Sequence, residues 1–149
     1  MKKSILTMLA VVFLVLLYSF VAPHSETFSL TVEVKELRNS KGVVQYALYN
    51  KDKTIPDEHY KNYYKMLTAQ IICGTSTVTF LNLPAGKYAV NILHDENKNG
   101  KIDKGFILPI EGIGFSNFKS VGFTNLPSFL KACFDVKCDS KINVKVIYL

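Results

Sequence analysis

The chain has 149 residues, of which 48% are hydrophobic and 20% charged, with a formal net charge of +6 and three cysteines. That is one domain's worth of chain, long enough to bury a core. The basic excess is mild and spread along the chain. With no helix-turn-helix, zinc-finger spacing or arginine cluster, it excludes a nucleic-acid-binding reading.

Lys2 and Lys3 precede an uncharged run from Ile5 to Ala22, and polar residues resume at His24. A basic region, an apolar region and a polar flank in that order form an export signal. The run is also about long enough to cross a bilayer as a helix, so an uncleaved anchor, in the membrane through residues 5–22, is the rival. Residues 1–25 are therefore expected to be a signal peptide or N-terminal anchor, and residues 26–149 a single domain at the periplasm or cell surface. An exported chain is free to form disulfides. Cys133 and Cys138 lie close enough in sequence to bridge a tight strand end, Cys73 with either is equally open, and a small buried apolar residue is the plain reading of Cys73.

Phe28, Leu30, Val32 and Val34 alternate with Ser29, Thr31, Glu33 and Lys35, the pattern of a half-buried strand. Asn39 to Gly42 reads as a turn. Val43 to Tyr49 is apolar on nearly both faces, Gln45 being the exception, which predicts a central strand with its second face covered. Lys51 to Lys65 predicts a short helix or helical crossing loop, with Pro56 in the first turn and Asp57 and Glu58 at its N-terminal end. Tyr60, Tyr63 and Tyr64 are expected to cover a sandwich edge with their hydroxyls in water. Ala69 to Cys73 and Thr77 to Leu81 read as strands, and Asn82 to Gly86 as a turn. Lys87 to Leu93 is a strand with Tyr88, Val90 and Ile92 on one face and Ala89, Asn91 and Leu93 on the other. Phe129 to Val136 predicts a strand, after a turn of helix over Pro127 to Leu130. Ile142, Val144, Val146 and Tyr148 alternate through a last strand. About seven short strands divided by turn signals, with one short helix or helical loop, predict an all-β Greek-key sandwich.

The stretch His94 to Asp103, HDENKNGKID, joins the Lys87–Leu93 strand to a second glycine-rich loop, Ile110 to Asn117. Asp95, Asn97, Asn99, the Lys101 carbonyl and Asp103 stand at positions 1, 3, 5, 7 and 9 of an EF-hand-style calcium loop, with Gly100 at position 6. Phe106 replaces the bidentate glutamate of position 12. Glu111 is the nearest following carboxylate, and a fold-back of PIEGIG would supply it, with the neighbouring glycines permitting close backbone approach. Calcium is thus expected at Asp95, Asn97, Asn99, Lys101, Asp103 and Glu111. The competing reading is a solvated turn in which Asx side chains satisfy the backbone.

The runs LPAGKYAVNILHDENKNGKID, from Leu83 to Asp103, and PIEGIGFSN, from Pro109 to Asn117, resemble a family of exported bacterial domains without an assigned function. PSFLKACF, from Pro127 to Phe134, also fits its pattern. The resemblance spans roughly residues 28–149. It implies a prealbumin-like or immunoglobulin-like sandwich in the periplasm or at the cell surface, and does not imply an enzyme. LPAGKYAV is also similar to the strand entry of transthyretin-like domains, where such a segment serves folding.

Among the functions these residues allow, the first is a non-catalytic envelope domain whose partner is a protein, a glycan or a second copy. The second is a small hydrolase or lyase using His94 and Glu111. The third is a carrier of small molecules or peptides, by analogy with transthyretin-like domains. Zinc would need more converging nitrogen or sulfur ligands than His24, His59 and His94 provide. Ser116 lacks a nucleophile elbow, and with Asn117 it is expected to hold the second loop against the first. A closed pair of loops with no cleft beside His94 favours the first function; an open pocket holding His94 and Glu111 favours the second.

Overall fold

The computed structural model describes residues 26–149 apart from Ile107 and Phe123. The expected signal or anchor over residues 1–25 lies outside the described residues. Among the described residues, eight strands and one short helix follow in the order β1 (Thr27–Val34), β2 (Val43–Tyr49), β3 (Lys65–Ala69), β4 (Ser76–Pro84), β5 (Gly86–Asp95), β6 (Gly112–Phe115), α1 (Phe129–Ala132), β7 (Phe134–Val136) and β8 (Ser140–Asn143). One sheet has the order β4-β1-β8. The other runs β3-β2-β5-β6, and β7 pairs with the Gly86–Tyr88 end of β5. The two pack as a β-sandwich.

The alternation read from the sequence sets the layers. Leu30, Val32 and Val34 of β1 meet Val44, Tyr46 and Leu48 of β2 and Tyr88, Val90 and Ile92 of β5 between the sheets. The opposite face of β2 and β5 presents Ala47, Tyr49, Ala89 and Leu93. It is covered by Ile55 and Tyr60 from the β2–β3 connection and by Phe118, Phe129 and Ala132 from the β6–β7 connection. β2 is therefore central and buried on both faces, as its composition predicts.

Four expectations are corrected. Residues 51–64 form turns and no helix. Asp57 Oδ2 accepts from the N–H groups of Lys61 and Asn62, a local bonding pattern that competes with helical pairing. Lys53 and Tyr60 stand at positive φ, and Tyr60 packs in the core instead of covering an edge. The third strand is Lys65–Ala69, not Ala69–Cys73. It is an edge strand with little buried surface, so the apolar run after it draws attention away from the residues that pair. Cys73 is exposed at positive φ in the turn before β4, which corrects its reading as a buried apolar residue.

All three cysteines are free thiols. Cys133 and Cys138 flank the extended strand β7, which holds them apart at roughly 3.3 Å per residue, beyond the reach of a disulfide.

The last predicted strand divides. β8 pairs in parallel with β1. Beyond it the chain crosses to the other sheet, where Ile147 and Ile113 exchange N–H···O bonds of 2.7 and 3.0 Å. Val144 and Val146 are buried between the sheets. Gly112 and Gly114 make this crossing possible. A Cβ on Gly112 would stand 2.4 Å from side-chain atoms of Tyr148 and Val146, and one on Gly114 2.5 Å from the Lys145 carbonyl oxygen. The GIG glycines thus clear a path for the C-terminal segment.

Candidate functional site

The two loops singled out by sequence meet at one end of the sandwich. β5 runs into the first loop at His94 and Asp95, and the second returns to β6 through Glu111. The register that places His94 opposite Gly112 brings Glu111 alongside Asp95.

Inside the first loop, side chains satisfy the backbone. Asp95, 2% exposed, accepts from Asn99 N at 3.1 Å and Gly100 N at 2.7 Å. Asn97 Oδ1 accepts from Asn99 N, and Asn99 Oδ1 from Lys101 N. The carboxamide nitrogens of Asn97 and Asn99 both donate to Asp103, at 2.6 and 2.9 Å. Asx side chains at alternate positions wind a short loop because each carbonyl oxygen reaches an N–H about two residues on.

Glu111 joins the loops. It is 4% exposed; Oε1 accepts from Glu96 N at 2.9 Å and Oε2 from Asp103 N at 3.1 Å. Its two oxygens therefore span both ends of the Asx loop. Burial pushes its carboxyl pKa up, the two backbone donors oppose that, and the charges of Asp103 and Asp95 add to the rise.

His94 is fully buried. Nε2 lies 3.0 Å from the Lys41 carbonyl, which can only accept, so Nε2 carries the proton. Nδ1 lies 2.8 Å from the Tyr148 hydroxyl, with which it shares a hydrogen bond, and that hydroxyl accepts from Arg38 N at 3.2 Å. The Arg38 guanidinium lies 4.6 Å from the centre of the Tyr148 ring. It donates to Glu96 Oε1 at 2.6 Å and to the Ile110 carbonyl at 2.9 Å. For Glu96, burial pushes the pKa up but Arg38 and Asn39 outweigh it, leaving the carboxyl below its ordinary range. Gly42 closes the assembly: at φ +71°, its Cβ would fall 1.9 Å from the Asp95 carbonyl oxygen.

The structure thus brings together Asp95, Asn97, Asn99, Asp103 and Glu111, with His94 behind them. Among the described residues no group of three or more His, Cys, Asp or Glu is disposed to hold a metal ion. Sequence reasoning missed Arg38, Lys41 and Tyr148. One signal pointed to Arg38: among eighteen basic residues it alone is arginine, and only a guanidinium can donate in a planar fork to two acceptors. Ser116 and Asn117 do not hold the loops together. Ser116 Oγ accepts from Val90 N and donates to Ala132 O, while Asn117 Nδ2 donates to the Ala132 and Cys133 carbonyls. They pin the end of α1 to the sheet. The LPAGKY run is a turn lock, in which the Tyr88 hydroxyl donates to Pro84 O at 2.8 Å.

A cavity of about 460 Å3 opens on the outer face of the β2–β5–β6 sheet. It is lined by Asn91, Ile113 and Phe115 and by the connecting segments over them; neither His94 nor Glu111 lines it.

Residues 32–144 match the family described as an uncharacterized protein conserved in bacteria (DUF2141). The chain belongs to this family. The match begins inside β1, contains both loops and ends just after β8, so the family's shared region holds the whole braced assembly except the Tyr148 end. No curated protein and no solved structure matches the chain.

Proposed function

We propose that the protein is a non-catalytic, exported β-sandwich that serves by binding or as a structural element at the bacterial cell envelope. One observation carries the reading. His94 and Glu111, the two groups that would have to do chemistry, are buried, and all four of their polar atoms are spent on hydrogen bonds within the chain. A general acid or base must reach a substrate proton, and the cavity lies elsewhere on the sheet. The basic, then apolar N-terminal segment supports export, and the open cavity favours binding over a purely scaffolding role. A protein, a glycan or a second copy of the chain are the partner classes.

The test is complementation with His94→Gln. In a non-catalytic domain, cellular function tracks the amount of folded protein. A variant with unchanged melting temperature and abundance but no function would overturn the reading. Fractionation and the mass of the mature chain test export; an intact chain confined to the cytoplasm would end it.

A structural calcium ion is the second reading, favoured by the meeting of Asp95, Asp103 and Glu111 at one pair of loops, although the three carboxylates are not disposed around a common point as they stand. The residues toward it are those three, Asn97, Asn99 and the Lys101 carbonyl. The second lone pairs of the Asx and Glu oxygens supply hard donors of the kind calcium takes. An ion would have to displace the Asn97 and Asn99 amide nitrogens from Asp103. Binding only to the folded form raises stability by about 2.7 kcal/mol at a concentration 100 times Kd. A melting temperature that is the same in millimolar calcium and in chelator would exclude it.

A further inference from the structure

A second hollow opens where the end of β1, the end of β6 and the C-terminal segment meet. Its volume, about 500 Å3, falls within the roughly 300–1,000 Å3 common to small-molecule sites. Backbone bonds hold its walls in place. Val144 N donates to Glu33 O at 3.0 Å, which lays the C-terminal segment beside β1. Phe118 N donates to Phe115 O at 3.1 Å. Asn117, at φ +64°, turns the chain between them, and its carboxamide is pinned to the Ala132 and Cys133 carbonyls. The hollow is therefore preformed.

Its charge is unbalanced. Lys35, Lys119 and Lys145 line it against one acid, Glu36, which leaves a formal charge of +2. The three lysines lie far apart in sequence, so the fold gathers them and no local charge run does. Lys119 and Lys145 are exposed and pair with no carboxylate among the described residues. Lys35 shares one oxygen of Glu33 with Lys141, at 3.1 and 3.2 Å, so a single negative charge serves two ammonium groups there. An excess of one sign in a concave site concentrates ions of the opposite sign. The cations also narrow the class of anion. A planar carboxylate is best taken by a guanidinium fork, whereas an ammonium is a compact point charge with no preferred plane. The chain's one arginine, Arg38, is engaged elsewhere. Three separate ammonium groups suit a tetrahedral oxyanion that is met from several sides, and a phosphate monoester carries about −1.5 to −2 charge at pH 7. Phe115 and Phe118 give the hollow an apolar wall for the organic part of such an ester. None of the exposed large apolar side chains lines it, so nothing there enters a bilayer, and a soluble ester fits better than a lipid headgroup.

We propose that this hollow binds one soluble phosphate monoester, its phosphate held by Lys35, Lys119 and Lys145. The proposal rests on the reading of the protein as a binding domain and names the class of ligand.

1-Naphthyl phosphate is a suitable probe near pH 8, where its phosphate is doubly charged. 1-Naphthyl sulfate has a similar shape and a single charge. Isothermal titration calorimetry of the purified protein should show saturable binding of the phosphate, one per chain, and binding of the sulfate about fivefold weaker. Raising salt from about 50 to about 500 mM should weaken the phosphate about threefold or more. Lys119→Gln and Lys145→Gln should each weaken it about threefold to tenfold. Both side chains are exposed, so the melting temperature should not move. Lys87→Gln makes the same change of net charge at an exposed residue outside the hollow and should stay within about twofold. Absence of saturable binding would overturn the proposal. So would equal affinity for sulfate and phosphate, or a loss in Lys87→Gln as large as in the other two variants. Retention on phosphatidate-containing vesicles without binding of 1-naphthyl phosphate would assign the lysines to a membrane surface and overturn it equally. The envelope-domain reading falls by a different result, loss of function in a stable His94→Gln protein.

Discussion

Glu111→Gln tests whether the two loops are held by one buried carboxylate. The wild-type side chain accepts from Glu96 N and Asp103 N. A glutamine keeps one acceptor oxygen and turns an NH2 toward the other N–H, so one buried donor loses its partner and meets a second donor. An orphaned buried donor costs about 1–3 kcal/mol. Relief of the repulsion from Asp95 and Asp103 returns part of this, for a net loss of about 2 kcal/mol. For a domain of this size that lowers the melting temperature by roughly 6–10 °C. The pH dependence carries a second signature. The folded-state pKa of Glu111 lies above its ordinary value, so proton binding favours the folded form. Its contribution is greatest below the ordinary value of 4.5 and is lost as pH rises through the higher folded value. The variant loses that slope. Thermal melting measures the first effect, and urea unfolding between pH 4 and 7 the second, both followed by circular dichroism. A melting temperature within a degree of wild type, or an unchanged slope, would refute the brace.

Arg38→Met keeps the stem over Tyr148 and removes the fork. At this partly exposed site the loss should be about 1 kcal/mol, shrinking with added salt. Glu96 has the opposite sign to Glu111: its pKa is lowered, so its contribution is present above 4.5 and lost as pH falls through the folded value, and the variant should unfold less steeply on the acid side. Gly42→Ala should leave little folded protein, because the new Cβ meets backbone at 1.9 Å in a left-handed conformation; a soluble variant with wild-type melting would contradict the geometry. Gly112→Ala should cost about 1–3 kcal/mol by overpacking, while Gly122→Ala should stay within about 0.5 kcal/mol, a contrast that thermal melting reads directly. Ser116→Ala leaves Val90 N without its side-chain acceptor and should speed amide exchange at Val90, measured by deuterium exchange.

β1 was legible in sequence because a period of two marks a strand with one buried face, and β2 because an apolar run on both faces marks a central one. Both, like β5, fall where Leu30, Val44 and Val90 and their neighbours put them. β3 was not legible, because an edge strand needs no apolar stripe. The Lys51–Lys65 stretch carries helix-start residues, but Asp57 uses its carboxylate to tie down a loop. At the site, the Asx spacing announced a wound loop and Glu111 its companion. The bond from Arg38 to Ile110 and the reach of Tyr148 to His94 link residues 72 and 54 positions apart, and nothing local in either segment encodes such a meeting. The GIG glycines are legible as a request for space; what fills that space is visible only once the C-terminal segment is placed.

That segment has a consequence for how the molecule comes into being. Ile147 is tied to Ile113 in one sheet, and β8 to β1 in the other. A ribosome releases this chain from its N-terminal side onward, so the segment that stitches the two layers arrives after all eight strands it fastens. Until then β1 lacks a neighbour on one side and His94 lacks the hydroxyl of Tyr148. A truncation that removes Ile147 and Tyr148 would strike the fastening itself.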